Sequence, residues 1–350
     1  MQQRWPLLDY VRLIAASSVI FSHAFLIAEG SEVNEPLVRL LGPHNIVGIY
    51  GVFTFFIISG FLVTLSAKRT SNVFRFMWHR AIRIYPALFA CLLITSLIIG
   101  SMFTVVSLFE YLSGLYFLKY TVRGILYLQP WSVSTVVFYT DPGRVGEGLN
   151  GSLWTIRYEL MCYALVALLH FARCLTWPVV MFLFIGAQAL LISGWPDTWR
   201  PLLADFFFVC PSFLAGALLA TIRQGKELPA WPMLACASLL LVGLASGTVM
   251  ALFPLIGAYP IIRLATFQTA RVPSLQKFGD ISYGMYLFGW PLEQMIRGSI
   301  GMSSWWAVFV PSIVLAALCG YASWHLIEKH ALKLKDIKWP HVPMLGTARR

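Results

Sequence analysis

Ten apolar runs decide what this chain can fold into. They lie near residues 7–28, 46–66, 84–104, 153–172, 175–194, 202–222, 231–249, 250–268, 281–297 and 304–326, each about 17–22 residues long. At about 1.5 Å of rise per residue, such a run crosses roughly 30 Å of hydrocarbon as an α-helix. Backbone in lipid must satisfy its own hydrogen bonds, so the runs specify helices rather than open strands. The expectation is an all-α polytopic membrane protein with about ten transmembrane helices in one bundle. The eighth run is the weakest, because Pro254 and Pro260 interrupt it and only a tight turn separates it from the seventh. Composition agrees: 58% of the 350 residues are hydrophobic, 12% are charged, and mean hydropathy is +0.73. A water-soluble domain carries roughly 25% charge.

The net charge of +11 does not point to nucleic acid, since the basic residues form short clusters between apolar runs. With the N-terminus inside and ten alternating spans, 19 of the 26 Lys and Arg residues fall on the inner side. The first outer loop holds Glu29, Glu32 and Glu35. Both termini are therefore expected in the cytoplasm. A signal peptide at the N-terminus is disfavoured by Asp9 and Arg12 inside the first run and by the lack of a cleavage site near Ala28. One transmembrane domain is expected over residues 1–335, followed by a short basic cytoplasmic tail, 336–350. Residues 107–150 form no clean span. Aromatic and broken by Gly124, Pro130, Pro142, Gly146 and Gly148, they read as a re-entrant or lid element, in which Trp131 and several Tyr are suited to stacking on sugar rings or to anchoring at the membrane interface. The six cysteines show no CxxC and no paired spacing, so neither a metal site nor a disulfide framework is expected.

Ionisable groups in hydrocarbon cost at least about 2.5 kcal/mol each at a helix centre, and each requires a reason. Arg12 and His23 are eleven residues apart, which returns them within about 20° on one face of the first helix and separates them by about 16 Å. Asp9 lies close to that face, and the small residues Ala15, Ala16 and Val19 on it leave room for a slender ligand. Counting inward from the outer end of the fourth span puts Glu159 about 10 Å deep, near the depth of His23. A carboxylate beside an imidazole fixes its tautomer and stabilises the imidazolium, as a general base requires. Structural pairing of Glu159 with Arg157 is the plainer alternative. Arg80 and Arg83, at i and i+3 with His79 and Arg75 nearby, stand where the third span leaves the cytoplasm. They suit a phosphate-rich ligand or serve as ordinary inner-side flanks.

In order, these segments resemble the acyltransferase-3 family of membrane-bound acyltransferases. LDYVRLIAASSVIFSHAF resembles its first helix, with a basic residue, ten residues and then His, here Arg12 and His23. GVFTFFIISGFL (51–62) and HRAIRIYP (79–86) are similar to its second helix and to its R-x-x-R approach to the third. NGSLWTIRYELMCY (150–163) looks like the segment that carries an intramembrane Glu. DISYGMYLFGWPLEQ (280–294) and SWHLIEKHALKL (323–334) resemble the last two helices. The resemblance implies transfer of acetyl or another acyl group from acyl-CoA, acetyl-CoA above all, to hydroxyls of polysaccharide, lipopolysaccharide or oligosaccharide in a bacterial inner membrane. By the same resemblance His23 is the catalytic base or an acyl relay, Arg12 supports the site, and Arg80 and Arg83 contact the CoA phosphates. Many members have His where this chain has Gly289. The implied partners are the acyl-CoA donor, a saccharide or lipid-linked acceptor and membrane lipids, with no permanently bound cofactor and no metal. The rival readings are a transporter or flippase for a glycolipid and a sensor without chemistry. Transporters often show repeated halves, and none is visible here.

Overall fold

The computed structural model describes residues 5–70, 72–129, 133, 135–136, 148–194, 201–222, 227–268, 272–301 and 304–336. The N-terminal half comprises α1 Pro6–Glu29, α2 Pro36–Leu41, α3 Val47–Arg69 and α4 Val73–Ile94. A π-helical turn, Thr95–Ile99, carries α4 on into α5 Gly100–Met102. Then come α6 Leu108–Ser113, α7 Tyr116–Tyr127 and α8 Trp154–Phe171. The second half holds α9 Trp177–Ser193, α10 Pro201–Ile222, α11 Pro232–Ser246, α12 Val249–Thr266, α13 Ser282–Ile300 and α14 Trp305–Ser323. A second π turn, Trp324–Glu328, leads from α14 into α15 Lys329–Ala331.

Each of the ten apolar runs falls on a helix. Among the described residues, seven of these helices are long and apolar enough to cross a membrane: α1, α3, α4 with α5, α8, α10, α12 and α14 with its extension. α9 and α11 are apolar but have only 17 and 15 residues. α13 has 19 and includes Glu293, Gln294 and Arg297. The protein is thus polytopic and all-α, and a count of ten rests on these last three. Pro254 and Pro260 do not break α12, as helices packed in a bundle tolerate the lost backbone bonds.

Two sequence expectations change. The third span begins at Val73 rather than near 84, because Asn72 caps it: its Oδ1 accepts from Phe74 N at 2.9 Å and Arg75 N at 3.1 Å. Arg80 and Arg83 therefore lie in the second and third turns of α4, not at its N-terminus. Within 107–150, read as broken at Gly124, the described residues form two short helices, α6 and α7. Ser107 Oγ caps α6 by accepting from Glu110 N at 3.1 Å. Gly124 does not break α7; it lets the helix approach Leu92, whose side chain lies 2.8 Å from where a Cβ would stand. Tyr111 Oη donates to Ser96 O in the first π turn at 2.8 Å. Trp131 and residues 137–147 lie outside the described residues.

Contacts divide the chain into two compact units. Residues 1–52, 85–157 and 268–329 form the first, and 53–84, 158–267 and 330–350 the second.

In the first unit α1, α13 and α14 pack together. Small residues allow the close approach expected of helices in lipid, where packing replaces the hydrophobic effect. Gly284 of α13 faces Gly320 of α14, with 2.6 Å between the Cα of Gly320 and a Cβ built on Gly284. Phe21 and Phe25 of α1 meet Trp305 at ring distances of 5.5 and 4.7 Å. The beginning of α3 is held against α1 by Glu35. This fully buried carboxylate accepts from Ser22 Oγ and, through both oxygens, from Val47 N at 3.0 Å, so it caps α3, while Gly48 N donates to Ser22 Oγ at 2.6 Å. Burial raises the Glu35 carboxyl above its ordinary 4.5, with the Ser22 and Val47 hydrogen bonds pulling the other way. A carboxyl with a raised folded-state pKa binds more protons folded than unfolded between the two values. Stability should therefore fall as pH rises from 4.5 through the raised value. Glu35→Gln should flatten that part of the curve of melting temperature against pH; an unchanged slope would assign the dependence to another group.

In the second unit α9–α12 pack side by side. Here α3 and α10 meet backbone to backbone: a Cβ on Gly60 would lie 1.9 Å from Phe213 O, and one on Gly216 would lie 1.9 Å from Ile57 O. Ser212, Gly216 and Ala220 make a buried small-xxx-small stripe on α10. Trp78 Nε1 donates to Leu334 O at 3.0 Å, and His79 Nε2 lies 3.3 Å from Lys335 O, so residues after α15 dock on the first turns of α4.

Candidate active site

α1 carries His23 into the first unit against α13. Its Nδ1 lies 3.7 Å from Glu293 Oε2, and its ring stands edge-on to Trp290 at 4.7 Å. The His23 side chain keeps 17% of its exposure, whereas Glu293 keeps none. Neither Glu293 oxygen accepts a hydrogen bond among the described residues, and His23 Nδ1 makes none. The separation is longer than a hydrogen bond; catalytic contacts often tighten only when substrate binds.

Trp290 is fixed from behind. Its ring fills the space beside Gly151, where a Cβ would come within 2.7 Å, and its Nε1 donates to Gly148 O at 3.3 Å. Asn150 ties the same turn to α13 by donating to Leu287 O at 2.9 Å, and Tyr286 Oη donates to Ser152 O at 2.8 Å. Gly289 brings α13 close to α1, since a Cβ there would lie 2.8 Å from Ile20 Cγ1. A side chain at that position must displace Ile20, one turn from His23.

Arg12 forms an ion pair with Asp280, just before α13. It lies eleven residues from His23, about 16 Å along α1. Asp9, Leu13, Phe278 and Asp280 line a cavity of about 300 Å³ at this end of the helix. The small-residue face of α1 is not free for a ligand as expected. Ala15, Ala16 and Val19 are buried, and the start of α3 packs on Ala15 and Val19, with a Cβ on Gly51 only 2.7 Å from Ala15 O.

The second unit gathers a polar group of its own. Glu159 Oε1 accepts from Ser59 Oγ at 2.9 Å and from Tyr163 Oη at 2.5 Å. Arg80 stands over the Tyr163 ring at 6.0 Å and the Phe76 ring at 5.9 Å, and its Nη2 donates to Ser66 Oγ at 3.4 Å. Its Nε is buried without a hydrogen-bond partner among the described residues. Arg83 is half-buried one turn further along α4. The expected partner of His23 was Glu159. The carboxylate beside His23 in its own unit is Glu293, while Glu159 sits with Ser59, Tyr163 and Arg80.

Sequence reading missed Glu293, Trp290, Asp280, Ser59 and Tyr163. The signal for Glu293 was present, as a lone carboxylate within the apolar run 281–297. Among the described residues no group of three His, Cys, Asp or Glu side chains is arranged to hold a metal.

A part-buried histidine facing a fully buried carboxylate among apolar helices is the candidate site of this chain. Over residues 5–325 the chain matches the family described as the acyltransferase domain, acyltransferase-3, and it belongs to that family. It is similar to the O-acetyl transferase of Shigella phage Sf6, with 27% identity over 345 residues covering 93% of this chain and 95% of the phage protein. It is also similar to Nodulation protein 10 of Rhizobium leguminosarum bv. viciae, 29% identical over 358 residues and 93% of each chain. No solved structure matches it. The chain is thus a multi-pass membrane protein with an acyltransferase domain.

Proposed function

We propose that this enzyme moves an acetyl or other short acyl group from acyl-CoA, acetyl-CoA above all, to a hydroxyl of a saccharide of the bacterial envelope or of an oligosaccharide. The observation that carries the mechanism is His23 facing the fully buried Glu293. With Nδ1 turned to the carboxylate, Nε2 is the basic nitrogen: it takes the hydroxyl proton while the oxygen attacks the thioester carbonyl. Glu293 stabilises the imidazolium in an apolar setting where a charge without a partner is costly. The proton then goes to the departing thiolate. Arg12, ion-paired to Asp280, anchors α1 rather than touching the reacting atoms. The name of the phage relative, an O-acetyl transferase, supports a small acyl group.

Arg80 and Arg83 are the proposed contacts for the CoA phosphates, and Glu159, Ser59 and Tyr163 hold the Arg80 guanidinium in place. Arg80→Ala should raise the donor KM by about 10- to 100-fold, the equivalent of roughly 1.5–3 kcal/mol of charge-assisted hydrogen bonding. Steady-state kinetics with varied acetyl-CoA test this; an unchanged KM in folded protein would remove Arg80 from the donor site.

We also propose an inner-membrane location with both termini cytoplasmic. The 19-to-7 division of basic residues supports it, and so does the docking of Leu334 and Lys335 on the first turns of α4. In a cysteine-free background Lys333→Cys should label from the cytoplasm and Val33→Cys from outside; the opposite pattern would reverse the assignment.

The function is tested in proteoliposomes supplied with radiolabelled acetyl-CoA and a panel of soluble and lipid-linked saccharides. Label should move to saccharide. Saccharide that crosses the bilayer while the label stays on CoA would instead favour a flippase.

A further inference from the structure

Trp290, Glu293 and Gln294 fall within about 100° of one face of α13. The first two reach His23. Gln294, one turn beyond Trp290, is fully buried, and among the described residues neither its Nε2 nor its Oε1 has a hydrogen-bond partner. Folded chains rarely bury an amide with both ends unsatisfied, because its lost hydration is not recovered. A helix within lipid has no bulk water to make good the loss. Met has similar length without the polar atoms and would suit an apolar core at this position. The carboxamide is therefore better matched to a polar group that arrives with the substrates. The acyl-transfer reading brings one such group to His23: the thioester carbonyl oxygen, which gains negative charge on attack.

We propose that Gln294 Nε2 donates a hydrogen bond to this oxygen and is a catalytic residue of the transfer, an inference that rests on the acyltransferase reading above. In the step, His23 Nε2 takes the acceptor's hydroxyl proton and the hydroxyl oxygen bonds to the carbonyl carbon. The carbonyl π pair moves onto oxygen, where the Gln294 N–H holds it. The pair returns, the C–S bond breaks, and the thiolate leaves and takes the proton from the imidazolium. The products are an oxygen ester and a free thiol, so no oxidant or reductant is required. Glu293 and Gln294 then have complementary tasks. The carboxylate stabilises the cation that forms on His23, and the amide stabilises the anion that forms on the substrate.

The test uses the full chain in nanodiscs with acetyl-CoA as donor, free CoA being quantified by chromatography, and compares wild type, Gln294→Met and Gln294→Leu. Removing one oxyanion donor lowers kcat by about 10²–10³-fold. Gln294→Met should show that loss with a donor KM within about twofold of wild type. Its melting temperature should be equal or higher, because an orphaned amide has been replaced by an apolar isostere. A folded Gln294→Met enzyme with kcat within threefold of wild type would overturn the assignment, as would a loss confined to KM. Failure of both variants to fold would also overturn it, by making the amide a structural requirement. Wild type and His23→Ala are run alongside. An inactive wild type or an undiminished His23→Ala would strike the acyl-transfer reading itself, whereas with both controls as expected an active Gln294→Met strikes only the role of Gln294.

Discussion

Glu293→Gln is expected to lower turnover by about 10²–10³-fold and to add almost nothing to the loss caused by His23→Ala. The two side chains face each other at 3.7 Å inside the same helical unit. If the carboxylate acts by stabilising the imidazolium, its contribution exists only while the imidazole is present. Residues that work as a unit give non-additive effects. His23→Ala alone should abolish transfer, with the protein still folded and inserted. Glu159→Gln is the informative comparison, because depth counting from the sequence made Glu159 the partner of His23. Its Oε1 already accepts from Ser59 and Tyr163, and Arg80 stands over the Tyr163 ring. Glu159→Gln should therefore raise the donor KM through Arg80, and its effect should be measured in the active background. Coupling of His23 to Glu159 and not to Glu293, in a full double-mutant cycle of folded proteins, would reverse the assignment of the two carboxylates.

The second large effect concerns folding. Gly60→Val and Gly216→Val should each prevent recovery of folded protein. A Cβ at either position would lie 1.9 Å from a backbone carbonyl oxygen of the facing helix. A rotamer change cannot relieve a backbone contact, so α3 and α10 would have to separate along the whole Ser212–Gly216–Ala220 stripe. Overpacking usually costs about 1–3 kcal/mol, and a clash with main chain belongs at or beyond the upper end. Gly186→Ala is the control, since nothing lies within 4 Å of its Cβ position. Size-exclusion profiles of detergent-solubilised variants check both. A monodisperse Gly60→Val or Gly216→Val protein would mean that the two helices cross with more space than the structure shows.

Much of the architecture was legible because the strongest signal, apolar runs of membrane-crossing length, is local. Every run lies on a helix. The start of α4 was hidden because Arg75, His79, Arg80 and Arg83 looked like a flank. Asn72, a capping residue two positions before Phe74, was the mark that a purely hydropathic reading passes over. Gly124 was read as a breaker, but in α7 it makes room for Leu92. A glycine gives the same local signal in either role, and only the packing partner separates them.

The site was half legible. His23 announced itself by sharing a face with Arg12, yet that face turned out to be divided. Arg12 is held by Asp280 at one end, and α3 packs on Ala15 and Val19 between. Depth counting from helix ends can match residues at equal height, but it cannot tell which helices are neighbours. It pointed to Glu159 and passed over Glu293, which lies beside His23 because α13 packs on α1. The cluster of Ser59, Tyr163 and Arg80 around Glu159 was equally invisible, since it joins residues about a hundred positions apart.

The most direct measurement follows radiolabelled acetyl from acetyl-CoA in purified wild-type protein and in a folded His23→Ala variant, both in nanodiscs with a saccharide acceptor. Wild type should release CoA and form an alkali-labile oxygen ester on the acceptor in equal amounts, and His23→Ala should form none. Ester formation by His23→Ala at the wild-type rate would contradict the account.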